Sequence, residues 1–207
     1  MSLKSNQKLV LTGGPSGGKT TLAQTLQKEF TNQLIVCPEA ASILYGGGWP
    51  RRKNQHGVQH QQRAIYFLQR ELESLITNEN NDRLIVCDRG SLDGMAYWPG
   101  PGPGTDFLAS VSSSIEKEVA RYDWVIHMDT APQSYYDLTN PLRNENFDEA
   151  WKLNEAVKQA WAAHPRRFVI ANSQTEHFLE KMQNALFVVQ GIIEGRSFEE
   201  ISGITKA

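Results

Sequence analysis

Residues 13–20 read Gly-Gly-Pro-Ser-Gly-Gly-Lys-Thr, which fits the pattern G-x-x-x-x-G-K-T. The pattern constrains the fold because it works only between a strand and a helix. Glycines let the backbone turn conformations that a Cβ would forbid, so successive N–H groups can converge on one anion. The helix that follows offers its free N–H groups and the positive end of its dipole. The flanks agree: residues 8–12 are a short apolar run, and Leu22, Ala23, Leu26 and Phe30 recur at helical spacing. Gly13, Gly14, Ser16, Gly17, Gly18, Lys19, Thr20 and Thr21 are therefore the expected nucleotide-binding residues. Lys19 can reach the outer phosphates, and the Thr20 hydroxyl suits a Mg2+ ion shared with them.

Five apolar runs, at 8–12, 34–38, 83–88, 123–128 and 167–171, read as parallel strands. They lack polar–apolar alternation, as strands covered on both faces do. Helical spacing separates them. It links Val58, Ile65, Leu68, Leu72 and Leu75; then Phe107, Leu108, Val111, Ile115 and Val119; then Phe147, Trp151, Val157 and Trp161; and last Phe178, Met182, Leu186, Val189 and Ile193. Strands alternating with helices predict a doubly wound α/β sheet. A chain of 207 residues, 40% hydrophobic, is the size of one such domain, expected to span 1–207 with a lid near 132–146.

Asp88 directly follows a buried strand, where a phosphate-loop protein needs a carboxylate for Mg2+; the position also suits a helix cap. Arg89 could orient a carboxylate or hold a substrate, and Asp93, one helical turn on, could meet an acceptor's hydroxyls. Glu39 closes the second strand. It faces the same crevice as a candidate base for a hydroxyl proton, or it is a first-turn charge favoured by the helix dipole. Arg143 and Glu145 fall in the lid segment. An arginine there can neutralise a phosphoryl group in transfer, or form a surface ion pair.

Two loops, 46–57 (GGGWPRRKNQHG) and 98–105 (WPGPGPGT), are poor in core-forming residues and lie near the carboxyl edge of the expected sheet, where such folds bind ligands. A formal net charge of −2 makes nucleic acid an unlikely partner, and the Arg51, Arg52, Lys53 cluster is short. Cys37 and Cys87 each end an apolar run and are expected buried and reduced. No apolar run is long enough to span a bilayer and the N-terminus has no signal-peptide core, so a cytoplasmic protein is expected.

The glycine loop, Pro38-Glu39-Ala40, the stretch Asp88-Arg89-Gly90-Ser91-Leu92-Asp93, the Arg143-x-Glu145 segment and Trp161-x-x-His164-Pro165-Arg166 resemble the NadR-like AAA-type P-loop family, over residues 8 to 190. A more distant likeness is to deoxynucleoside and thymidylate kinases. The resemblance implies a three-layer α/β/α fold with a parallel five-stranded sheet of order 2-3-1-4-5. It implies Glu39 as base, Arg89 as its support, Arg143 in the lid, and Gln62 and Tyr66 facing the acceptor. The implied activity is transfer of the γ-phosphoryl group of ATP, with Mg2+, to a small nucleoside-like acceptor. Lys19, Glu39, Asp88, Arg89 and Arg143 would be catalytic, Gln62, Tyr66, Arg89 and Asp93 would bind substrate, and Thr20 and Asp88 would hold the metal. The alternative is an ATPase or nucleotide-dependent switch with no small-molecule acceptor. The Pro-Gly insert at 99–104 and the Arg51–Lys53 cluster match no part of the resemblance, and the chain has no room for an adenylyltransferase domain beside this one.

Overall fold

The computed structural model describes residues 6–100, 104–136, 146–172 and 178–204. The strands are β1 (Lys8–Thr12), β2 (Leu34–Cys37), β3 (Leu84–Asp88), β4 (Trp124–Met128) and β5 (Arg167–Ile170). The helices among the described residues are α1 (Lys19–Glu29), α2 (Ala40–Gly46), α3 (Gln55–Glu79), α4 (Asp93–Ala96), α5 (Thr105–Ser110), α6 (Ile115–Val119), α7 (Phe147–Ala160), α8 (Phe178–Ile193) and α9 (Phe198–Ile204). All strand pairs are parallel and the sheet order is β2-β3-β1-β4-β5.

The unalternating strands make sense once both faces are followed. Successive residues of a strand point to opposite faces. Leu9 and Leu11 of β1, Leu84 and Val86 of β3, and Trp124, Ile126 and Met128 of β4 enter one core with Leu22, Leu26, Val188 and Ile192 of α1 and α8. The residues between them, Val10, Ile85, Cys87 and Val125, enter a second core with Tyr66, Phe107, Val157 and Trp161. Three layers result. The central strands β1, β3 and β4 are covered on both faces, so neither of their faces needs a polar set.

Register lines up the strand ends. Leu11 is opposite Asp88, Cys37 opposite Cys87, and Thr12 opposite His127. The carboxyl edge therefore presents Glu39, Asp88 and Arg89, Gly13 and Asp129 side by side, in sheet order. Cys37 and Cys87 are free thiols, both buried, as expected.

Three expectations need correction. The single helix expected from Phe107 to Val119 is two, because the backbone turns left-handed at Ser112 (φ 55°) and the Ser114 hydroxyl then caps α6 by accepting from Lys117 N–H. The loop at 46–57 is shorter, since Gly46 closes α2 and Gln55 opens α3 under an Asn54 cap. Phe178, expected on the core face of α8, is half exposed. No helix among the described residues is long and apolar enough to cross a membrane.

Candidate active site

The glycine loop turns tightly under the end of β4. Gly13 has φ 127°, and a Cβ there would lie 2.0 Å from the Met128 carbonyl oxygen. Gly18, the N-cap of α1, has φ 89°. Only glycine takes both positions without strain. Ser16 is also left-handed (φ 60°), and its buried hydroxyl has no partner among the described residues. Such a group inside an anion-binding loop fits a phosphate oxygen. Lys19, 7% exposed, donates to the carbonyls of Gly13 (2.9 Å) and Gly14 (2.6 Å). Burial, then the nearby Arg89, lower its ammonium to a pKa of about 7, against the pull of Asp88, Asp93 and Glu39. Thr20 and Thr21, on the first turn of α1, are exposed.

Arg89 joins this loop to the neighbouring strand ends. Its Nε donates to Glu39 (3.1 Å), and its Nη1 donates to the Gly13 carbonyl (3.1 Å) and to Asp93 Oδ2 (3.2 Å). The guanidinium fork can address several acceptors at once. Its backbone is left-handed, with φ 76°, and is held by a bond from Arg89 N–H to the Leu11 carbonyl (2.9 Å) and from the Gln69 amide to the Arg89 carbonyl (3.3 Å). Burial works against the charge on Glu39, but Arg89 and hydrogen bonds from Ser42 and Arg89 outweigh it, so its pKa falls below the usual value. Asp88 is different. Burial and then Glu39 push its pKa up, and it makes no hydrogen bond or ion pair with the described residues. A part-buried carboxylate beside a phosphate loop, with both oxygens available, fits a divalent ion. No cluster of three His, Cys, Asp or Glu that could hold a metal is present among the described residues.

The other expected acceptor residues divide. Asp93, 4% exposed, accepts at Oδ1 from the Thr12 hydroxyl (2.7 Å) and the Trp161 indole (2.7 Å), and at Oδ2 from Arg89. It braces Arg89 and has little surface for a substrate. Tyr66 departs from expectation: its ring is 2% exposed within the second core, and its hydroxyl donates to Glu118 (2.7 Å) and accepts from Arg70 (2.9 Å). Gln62 is 7% exposed and bonds no described residue. Arg143 and Glu145 lie outside the described residues, as does most of the expected lid.

Residues 8–177 match a protein family described as an AAA domain. This chain belongs to the AAA domain family. A search of curated proteins gives no match. Among solved structures, this AAA domain resembles a NadR protein in complex with NR (TM-score 0.66, 14% identity), with 91% of this chain covering 52% of that one. It also resembles thymidylate kinase from Ehrlichia chaffeensis (0.63, 14%; 89% of this chain and 98% of that chain). Deoxyadenosine kinase from M. mycoides with bound dATP is a third (0.56, 14%; 87% and 98%). This chain thus spans about half the length of the NadR protein. These likenesses confirm the three-layer fold and its strand order.

Sequence reasoning missed what braces the AAA domain's glycine loop from behind. Asn154 of α7 is fully buried, and its Oδ1 accepts from the N–H groups of Gly14 (3.1 Å) and Thr130 (3.2 Å). His127 Nε2 lies 3.1 Å from the same oxygen. The Asn154 amide donates to Asp129 Oδ1 (3.0 Å), which Lys158 also contacts at 2.8 Å. Burial opposes the charge on Asp129, yet bonds from His127, Lys158 and Asn154 hold its pKa below the usual carboxylate range. Lys181 donates to the Asp129 carbonyl and to Asn172 (3.1 Å), and burial lowers its pKa to about 8. Phe178 stands over the other end of the loop: a Cβ on Gly18 would lie 2.8 Å from its ring. Its apolar spacing in the sequence marked it as core, and nothing in that spacing distinguishes the two roles.

Proposed function

We propose that this AAA domain protein is a Mg2+- and ATP-dependent kinase of small polar molecules, acting in the cytoplasm. The observation that carries the reading is the position of Arg89. One guanidinium ties Glu39, the Gly13 carbonyl of the glycine loop, and Asp93 into a single site. A carboxylate held beside the glycine loop by a guanidinium suits an acceptor hydroxyl that must be oriented and deprotonated. Two of the three structural neighbours are named as nucleoside or nucleotide kinases, which agrees.

In this reading the amides of residues 13–20 bind the phosphate tail, and Lys19 exchanges the Gly13 and Gly14 carbonyls for phosphate oxygens. Thr20 and Asp88 would hold magnesium, whose charge offsets that of the phosphates. Arg89 fixes the Glu39 carboxylate toward the acceptor. As the acceptor oxygen bonds to the γ-phosphorus and the bond to the β-phosphate oxygen breaks, the hydroxyl proton passes to Glu39 and ADP leaves. The lowered pKa of Glu39 keeps it ionised and able to accept at neutral pH. Acidification through that pKa would protonate it and remove activity. Arg143 is proposed as the cation that closes over the transferring group.

Incubation with Mg-ATP and a panel of nucleosides, sugars and polyols, with detection of phosphorylated products, tests the reading. Glu39→Gln should lower transfer by about 10²–10⁴-fold while ATP affinity is unchanged. Phosphate release with no phosphorylated acceptor would instead make the protein an ATPase or switch.

A further inference from the structure

Between Glu39 and Glu71 the chain has no acidic residue, while Arg51, Arg52, Lys53, Arg63 and Arg70 are all cationic. This stands out in a chain whose net charge is −2. Arg70 is engaged with Tyr66 and Glu118 on the inner face of α3. Arg51, Arg52 and Lys53 are exposed and make no ion pair with a described residue. Their loop is nevertheless held in place. The Arg51 guanidinium lies 3.9 Å over the Tyr45 ring of α2. The Gln61 side chain clamps Arg52 from both sides, accepting from its N–H (2.6 Å) and donating to its carbonyl (3.3 Å). Gly57 leaves room for the Arg52 stem, since a Cβ there would come within 2.2 Å of the Arg52 Cβ. Three cations with no ion-pair partner among the described residues are thus presented from an anchored backbone.

The place of their loop relative to the active site follows from two helices. Glu39 caps α2, and Tyr45 near the end of the same helix feels the charges of both Glu39 and Arg51. On α3, Gln69 reaches the Arg89 carbonyl. Gln62 is two turns earlier on the same stripe, about 10 Å nearer the basic loop. It is buried, yet its amide bonds no described residue. The stripe therefore runs from Arg89, past a polar side chain that bonds no described residue, to the backbone of the basic loop.

We propose that Arg51, Arg52 and Lys53 form the far end of the acceptor site, and that the acceptor is a phosphomonoester whose phosphate they bind, with Gln62 meeting its polar body and Glu39 its reacting hydroxyl. This rests on the kinase reading and narrows it. A compact dianion matches three cations on one loop, two of them guanidinium forks. A nucleic acid would need a longer basic track, and acidic residues resume on α3 at Glu71.

The test compares matched pairs: ribose and ribose 5-phosphate, glycerol and glycerol 3-phosphate, thymidine and thymidine monophosphate. Binding to protein loaded with a non-hydrolysable ATP analogue is measured by calorimetry, and transfer from ATP in parallel. At least one phosphomonoester should bind about tenfold or more tightly than its neutral partner. The triple variant Arg51→Ala, Arg52→Ala, Lys53→Ala should erase that preference, raising KM for the phosphomonoester rather than lowering kcat. Lys28→Ala, on the remote end of α1, should erase nothing. Equal binding of neutral and phosphorylated partners, no binding of any phosphomonoester, or a triple variant that loses only affinity for a single-stranded oligonucleotide would each overturn the proposal. Transfer to neutral acceptors alone would leave the kinase reading standing without it. Binding of phosphomonoesters with no transfer to any acceptor would count against the kinase reading instead.

Discussion

The Lys19 ammonium is held by carbonyl oxygens rather than by a carboxylate, and burial brings its pKa to about 7. Phosphate oxygens placed against it favour the charged form and raise the pKa. At about pH 8.5 the amine is therefore mostly neutral in the protein alone and protonated once a triphosphate is bound, so binding should take up close to one proton. Calorimetry in two buffers of different ionisation enthalpy reads this uptake from the difference in apparent heat. A heat independent of buffer would show that Lys19 does not change its protonation on binding.

At the scale of elements, α7 braces the glycine loop from behind. Asn154 gives that loop and β4 a shared acceptor, and replacing it by alanine leaves the Gly14 and Thr130 N–H groups buried without their partner. Asn154→Ala should cost about 2–4 kcal/mol in urea unfolding and weaken ATP binding as well. Loss of stability with unchanged ATP affinity would mean that the loop holds its shape without α7. This brace was not legible in the sequence. Asn154 is one polar residue in an amphipathic helix, and its partners are 25 and 140 residues away in the chain. What was legible was local. Glycine spacing between an apolar run and a helical one located the loop, and unbroken apolar runs gave strands covered on both faces. Apolar spacing misled where backbone chemistry overrode it: Phe107 to Val119 keeps a helical rhythm through Ser112-Ser113-Ser114, yet those serines turn the chain and restart it. Glu39, Asp88 and Arg89 were legible as strand-end residues, whereas the inward commitment of Tyr66 to Glu118 became visible only with α6 in place.

For the whole molecule, a parallel sheet buried on both faces leaves its carboxyl edge as the place where charge gathers, with Glu39, Asp88, Arg89 and Asp129 along it. A ligand that binds this edge in the folded state alone stabilises the entire domain. Mg-ATP at a hundred times its Kd should add about 2.7 kcal/mol, raising Tm by roughly 5–10 °C, and EDTA should remove most of the rise. Thermal unfolding at graded Mg-ATP concentrations checks this, and a flat Tm would mean that no such ligand is held. The left-handed turn at Arg89 has a consequence for how this edge can vary. Glycine there would relieve the twist while abandoning three acceptors. Lysine would keep a positive charge, leave the twist in place, and lack the planar reach to serve them together. Backbone shape and side-chain geometry thus screen this position independently: glycine meets the first at the expense of the second, and lysine meets neither.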